Sequence, residues 1–103
     1  MVTQQLALAE IKAFVAEMRG LGIRPQQVIL FGSYARNEQH EWSDIDVAVV
    51  ADEFSGFRPQ DTRRLSAALW RHVDIELHPF RPEDFTDWNP FVEEIKRTGI
   101  VVA

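Results

Sequence analysis

The sequence has no cysteine, which removes disulfides, thiolate nucleophiles and thiolate metal ligands together. Basic residues are in the minority. Eleven Lys and Arg stand against sixteen Asp and Glu, a net charge of −5, so duplex DNA binding by blanket phosphate neutralisation is not expected. A site that meets polyphosphate through metal ions stays open. No apolar run approaches the roughly 20 residues of a membrane span, and no membrane partner is expected. Residues 1–20 carry Glu10, Lys12, Glu17 and Arg19 among their apolar positions, unlike a signal peptide. A cytoplasmic location is the expectation. Two phosphate-binding signatures are also missing, the P-loop G-x-x-x-x-G-K-[ST] and the dinucleotide G-x-G-x-x-G. Repeats, low-complexity tracts and linkers are absent as well, so residues 1–103 are expected to form one domain.

What is present reads as alternating helices and strands. Leu8, Ile11, Val15 and Met18 follow helical spacing, with Thr3 as N-cap and Gly20 as the stop. Residues 28–31 form a short apolar strand that ends at Gly32-Ser33, and Ser33 to Asn37 looks like a helical turn. Residues 44–50, rich in β-branched side chains, predict a second strand. Residues 60–72 predict a helix burying Leu65, Ala68 and Leu69. Residues 73–78 alternate apolar and polar, a half-exposed strand ended by Pro79 and Pro82. A helix from Phe91 to Arg97 stops at Gly99, and residues 100–102 suggest an edge strand. The class is therefore α/β (α+β), a small mixed sheet of three to four strands with helices packed against it.

The chemistry concentrates between Phe31 and Val50. Asp44 and Asp46 lie two apart at the start of a strand, so their side chains share a face. Carboxylates that close repel each other unless cations sit between them, and such hard oxygen donors suit Mg²⁺ or Mn²⁺. Asp74 lies on the alternating strand with Glu76 and His78 on its polar face. Were that strand to pair beside Asp44–Val50, three carboxylates could make a two-metal site for phosphoryl or nucleotidyl transfer. Glu76 reads as a solvated carboxylate or a supporting partner rather than a further ligand. Gly32-Ser33 opens a turn whose amides attract anions. Trp42 stands in a polar loop directly before Ser43, where exposure is expected, whereas Trp70 and Trp88 read as core or interface.

Gly32-Ser33-Tyr34-Ala35-Arg36, followed by Ser43-Asp44-Ile45-Asp46-Val47 and Val73-Asp74-Ile75, resembles the minimal nucleotidyltransferases. These belong to the superfamily of DNA polymerase beta and kanamycin nucleotidyltransferase. The resemblance implies a nucleotidyltransferase fold in which Asp44, Asp46 and Asp74 are catalytic and bind two Mg²⁺ ions, Asp74 also serving as or near the base. It further implies that Gly32, Ser33, Arg36 and Ser43 bind the nucleotide, ATP or another NTP, or support the turn that does. Asn37 departs from the pattern, which usually has Gly there. Relatives of this size often pair with a small helical HEPN protein in a toxin–antitoxin system, which implies adenylylation of a Tyr on that toxin. Two other readings stay open: a non-catalytic antitoxin acting by contact alone, and a small-molecule (antibiotic) nucleotidyltransferase, with homo- or hetero-oligomers both possible.

Overall fold

A computed structural model describes residues 3–103; Met1 and Val2 lie outside the described residues. Helix α1 (Gln4–Gly20) starts at Thr3, whose hydroxyl accepts from the Leu6 N–H at 3.2 Å, as an N-cap does. Its buried stripe is Ala7, Ile11, Phe14, Val15 and Met18. Gly20 does not stop it. Leu21 still bonds back to the Glu17 and Met18 carbonyls, and the left-handed residue that turns the chain is Gly22, φ +87°.

Strands β1 (Gln27–Phe31) and β2 (Ile45–Val50) pair antiparallel, with Phe31 opposite Asp46. Helices α2 (Arg58–Arg64) and α3 (Ser66–Arg71) lead to β3 (Ile75–Phe80), which runs parallel to β2 with Asp46 opposite Glu76 and Ala48 opposite His78. After a short 3₁₀ turn come α4 (Pro90–Thr98) and β4 (Ile100–Val101), which pairs antiparallel with β1. The sheet order is β3-β2-β1-β4. One face packs Leu30, Val47, Val49 and Leu77 against α1 and α3; the other packs Ile29, Ala48 and Val50 against Val92 and Ile95 of α4. Because both faces are covered, β1 and the body of β2 read as unbroken apolar runs. Fully burying each such aliphatic side chain contributes about 1.5–3 kcal/mol. Among the described residues no helix is long and apolar enough to cross a membrane.

The mixed sheet and its helices match the expected class, but three further local expectations fail. The helix expected over 60–72 breaks at Leu65 (φ −103°, ψ 13°), which is fully buried. The break lets α2 lie along β3 while α3 packs on α1. The segment after β1 makes the expected turn, with the Arg36 N–H donating to the Gly32 carbonyl in the helical spacing. Pro79 does not end β3, because this is an edge strand. The Leu77 carbonyl points out of the sheet to Arg58 Nη2 at 3.0 Å, and Pro79, two residues on, turns its missing N–H the same way. Val73 precedes the strand and is 71% exposed instead of joining the apolar face.

Candidate active site

At the end of β1 the chain turns through Gly32, φ +75°. The amides of Ala35 and Arg36 then donate to its carbonyl at 3.1 and 3.2 Å, and the Glu38 amide donates to the Ser33 carbonyl at 2.8 Å. Tyr34 anchors this turn from below. Its ring is buried in the core, and Gln4 of α1 donates Nε2 to its carbonyl at 2.8 Å. The turn closes at Asn37, φ +56°. Asn adopts the left-handed backbone at lower cost than other side chains, so the departure from Gly leaves the turn standing. Gly32 lies directly against the Asp46 carboxylate, and a Cβ there would collide with Oδ2. Backbone and neighbour alike require the missing side chain.

Asp44 immediately precedes β2. The loop before it is tied by Ser43, whose Oγ accepts from the His40 N–H at 3.0 Å and whose own N–H donates to the His40 carbonyl at 3.0 Å. Trp42 is 83% exposed in this loop. Arg36 donates Nε to Glu38 at 2.7 Å, and with Gly32 and Phe91 it lines a pocket of about 170 Å³.

Among the described residues the three aspartates form no group of converging ligand atoms. The parallel register brings together Asp46, Glu76 and His78, whose ligand atoms lie within 4.8 Å of one another. His78 Nε2 is 3.4 Å from Asp46 Oδ1. Its ring is held edge-on by Phe31 at 4.9 Å and Phe91 at 5.9 Å. Asp74 sits just ahead of β3. Its carbonyl accepts from the Ile45 N–H at 2.7 Å, and it lines a separate pocket with Leu6, Ala9 and Glu10 of α1. Burial raises the Tyr34 phenol above its ordinary range, and the Asp74 charge raises it further.

The charges in the cluster settle unequally. Burial works against the Asp46 carboxylate, yet hydrogen bonding from His78 and Glu76 outweighs it and holds Asp46 below the usual range. Glu76 moves the other way. Sharing a hydrogen bond with Asp46, then burial, then the charges of Asp46 and Asp44 raise its pKa above the usual carboxylate range. Two carboxylates that resist joint ionisation are a donor set that a divalent cation relieves. The residues present therefore fit such an ion, with oxygen donors from Asp46 and Glu76 and a nitrogen from His78. The sequence places Glu76 and His78 on the face of Asp74, but neither is expected from it as a ligand. Their shared face was legible in the alternation, but pairing with Asp46 depends on the register between two strands far apart in the chain. Trp70 and Trp88, expected in core or interface, are 80% and 81% exposed and so do not belong to the core. Of the other histidines, His40 braces the loop before Asp44 and His72 sits between Glu10 and Glu17 of α1.

The family model for the nucleotidyltransferase domain matches residues 8–100. Two proteins of Methanocaldococcus jannaschii are similar to the chain. "Putative protein adenylyltransferase MJ0141" is 31% identical over 77 residues, 74% of this chain and 77% of that one. "Putative protein adenylyltransferase MJ0604" is 40% identical over 52 residues, half of this chain and 49% of that one. Among solved structures, a toxin–antitoxin crystallised with AMP-PNP superposes with a TM-score of 0.65 at 22% identity, covering 93% of this chain and 72% of that chain. A mutant of the toxin–antitoxin MntA–HpeT gives 0.63 at 21% identity, covering 91% and 72%. At these identities the structures establish the likeness of fold.

Proposed function

The chain belongs to the nucleotidyltransferase domain family, and on that premise we propose that it transfers AMP from ATP to a hydroxyl of a partner protein, a Tyr on a helical HEPN toxin, and so works as an antitoxin. The observation that carries this reading is the contact between Gly32 and the Asp46 carboxylate. It sets an anion-attracting turn against a cluster of metal-binding side chains, as a polyphosphate substrate requires. The similarity to proteins named as protein adenylyltransferases points to AMP and a protein acceptor. The likeness in fold to toxin–antitoxin structures, one with an ATP analogue, points to the setting.

In this reading Asp44 and Asp46 would hold two Mg²⁺ ions, and the third carboxylate would be Asp74, whose backbone is bonded to Ile45 between them while its side chain stands outside the Asp46 cluster. When bound, the ions shield the triphosphate and make the acceptor hydroxyl more acidic. Gly32 lets the backbone approach the phosphates, and the Ser33 hydroxyl donates to a phosphate oxygen. Arg36 adds positive charge at the mouth of the turn, and Ser43 fixes the loop that carries Asp44. Asp74 takes the proton of the acceptor hydroxyl as its oxygen bonds to the α-phosphorus. The bond from the α-phosphorus to pyrophosphate breaks, and pyrophosphate leaves.

The test is incubation with labelled ATP, Mg²⁺ and the product of the neighbouring gene. Label should appear on that protein. Asp44→Asn and Asp46→Asn should abolish transfer while leaving the circular dichroism spectrum unchanged. Asp74→Asn should abolish transfer and Glu76→Gln only slow it; the reverse result would move the third carboxylate to Glu76. No transfer to any acceptor, with no ATP binding, would favour a role by contact alone.

A further inference from the structure

The sheet order separates the two halves of a transfer reaction. The nucleotide turn follows β1, Asp44 and Asp46 stand at the start of β2, and Asp74 and Glu76 stand at the start of β3 at the edge. With the nucleotide at Gly32, the open side of Asp46 is the β3 side. A groove of about 600 Å³ runs along that side, bounded by α2 and α3, within the range of ligand-sized pockets. Leu69, Ile75 and Leu77 form its apolar base, and Glu76 belongs both to the groove and to the Asp46 cluster. Its wall is Trp70 and Val73, 80% and 71% exposed. An adjacent Trp and Val left in water beside a site mark a contact surface more than a solvent face.

We infer that this groove seats the acceptor polypeptide, and that the seated segment is an amphipathic helix with apolar side chains and a flanking carboxylate. The inference rests on the transfer reaction proposed above. Strand addition is excluded by the edge itself. The outward Leu77 carbonyl is already taken by Arg58, and Pro79 has no N–H to offer. The groove therefore accepts side chains rather than backbone, as in helix-in-groove recognition. Its rim carries two arginines in a chain of net charge −5. Arg58 is engaged, 3.8 Å from Glu76. Arg63 is exposed and makes no ion pair among the described residues. A carboxylate on the incoming helix complements Arg63. The apolar face covers Trp70 and Val73, and the hydroxyl reaches the reaction centre past Glu76.

The experiment uses the purified product of the neighbouring gene as probe. Calorimetry reads the Kd of its complex with this chain, and transfer of labelled AMP gives KM and kcat. Parallel titration with Mg·ATP reads the nucleotide site, and light scattering reads self-association. Trp70→Ser and Arg63→Glu alter exposed rim positions, and circular dichroism checks their fold. Each should raise the Kd and the KM by about tenfold or more, with Mg·ATP binding unchanged. Trp88→Ser, equally exposed but outside the groove, should change neither. An unchanged Kd in both rim variants overturns the inference. So does failure of the wild type to form the complex, or a wild-type dimer that Trp70→Ser separates, since a second copy would then occupy the groove. A wild type that forms the complex but transfers no AMP refutes the reaction instead, and the Kd series alone then decides the groove.

Discussion

Three glycines make a series in which backbone strain and site geometry can be read apart. Gly32→Ala places a Cβ at φ +75° and against Asp46 Oδ2. Left-handed backbone costs a non-Gly residue about 1–2 kcal/mol, partly offset by about 0.4–1 kcal/mol from the stiffer unfolded chain. Gly22→Ala meets the same strain at φ +87°, but its Cβ would lie 3.6 Å from Arg64 Nη2, an ordinary contact. Gly20→Ala lies in α1 with nothing within 4 Å, and should stabilise by about 0.5–1 kcal/mol. For a domain of this size 1 kcal/mol moves Tm by about 4–8 °C. Gly22→Ala and Gly32→Ala should therefore melt lower by similar amounts, on the order of 5 °C. They should differ in binding. The Gly32 Cβ would also sit 3.2 Å from Asp46 Cγ and 3.4 Å from Asp46 Cβ, so the carboxylate has to leave its place against the turn. Mg·ATP affinity should fall about tenfold or more in Gly32→Ala and stay at the wild-type value in Gly22→Ala. Thermal unfolding by circular dichroism and calorimetric titration read the two quantities. Equal binding by the two variants would refute the reasoning that Gly32 is kept for Asp46.

Three further outcomes follow. His72 is half-buried, which works against its charge, but hydrogen bonds to Glu10 and Glu17 outweigh this and raise its pKa. The stabilisation it gives is complete below the unfolded histidine value near ~6.5 and fades as pH rises through the higher folded value; His72→Gln should flatten the slope of Tm against pH in that window. Asp61 is 3% exposed and accepts from the Ser55 and Gly56 amides at 2.8 and 3.2 Å. Asp61→Ala leaves both unpaired and should cost about 1–3 kcal/mol in urea unfolding, with Asp61→Asn costing less. Asn37→Gly relieves a left-handed side chain and should raise Tm slightly without changing Mg·ATP affinity; a lower Tm would show that the Asn side chain itself holds the turn.

The sequence by itself determined most of the elements and the local geometry of the first half of the candidate site. Alternation and helical spacing depend on near neighbours in the chain, so α1, β1, β2 and α4 were legible with small errors at their ends. The run from Gly32 to Asp46 was legible too, because a turn and a strand start place their residues by local geometry. Tertiary structure decided the rest. The break at Leu65 follows from packing on two different partners, and the extension of β3 through Pro79 follows from its place at the sheet edge. Asp74, Glu76 and His78 all alternate on one segment, but only the parallel register of β3 against β2 brings Glu76 and His78 to Asp46, and only the packing ahead of the strand places Asp74 in a pocket with α1. Local sequence sets which way a side chain points along its own strand; which carboxylates come within reach of one another is set by pairing between strands that the chain itself holds far apart.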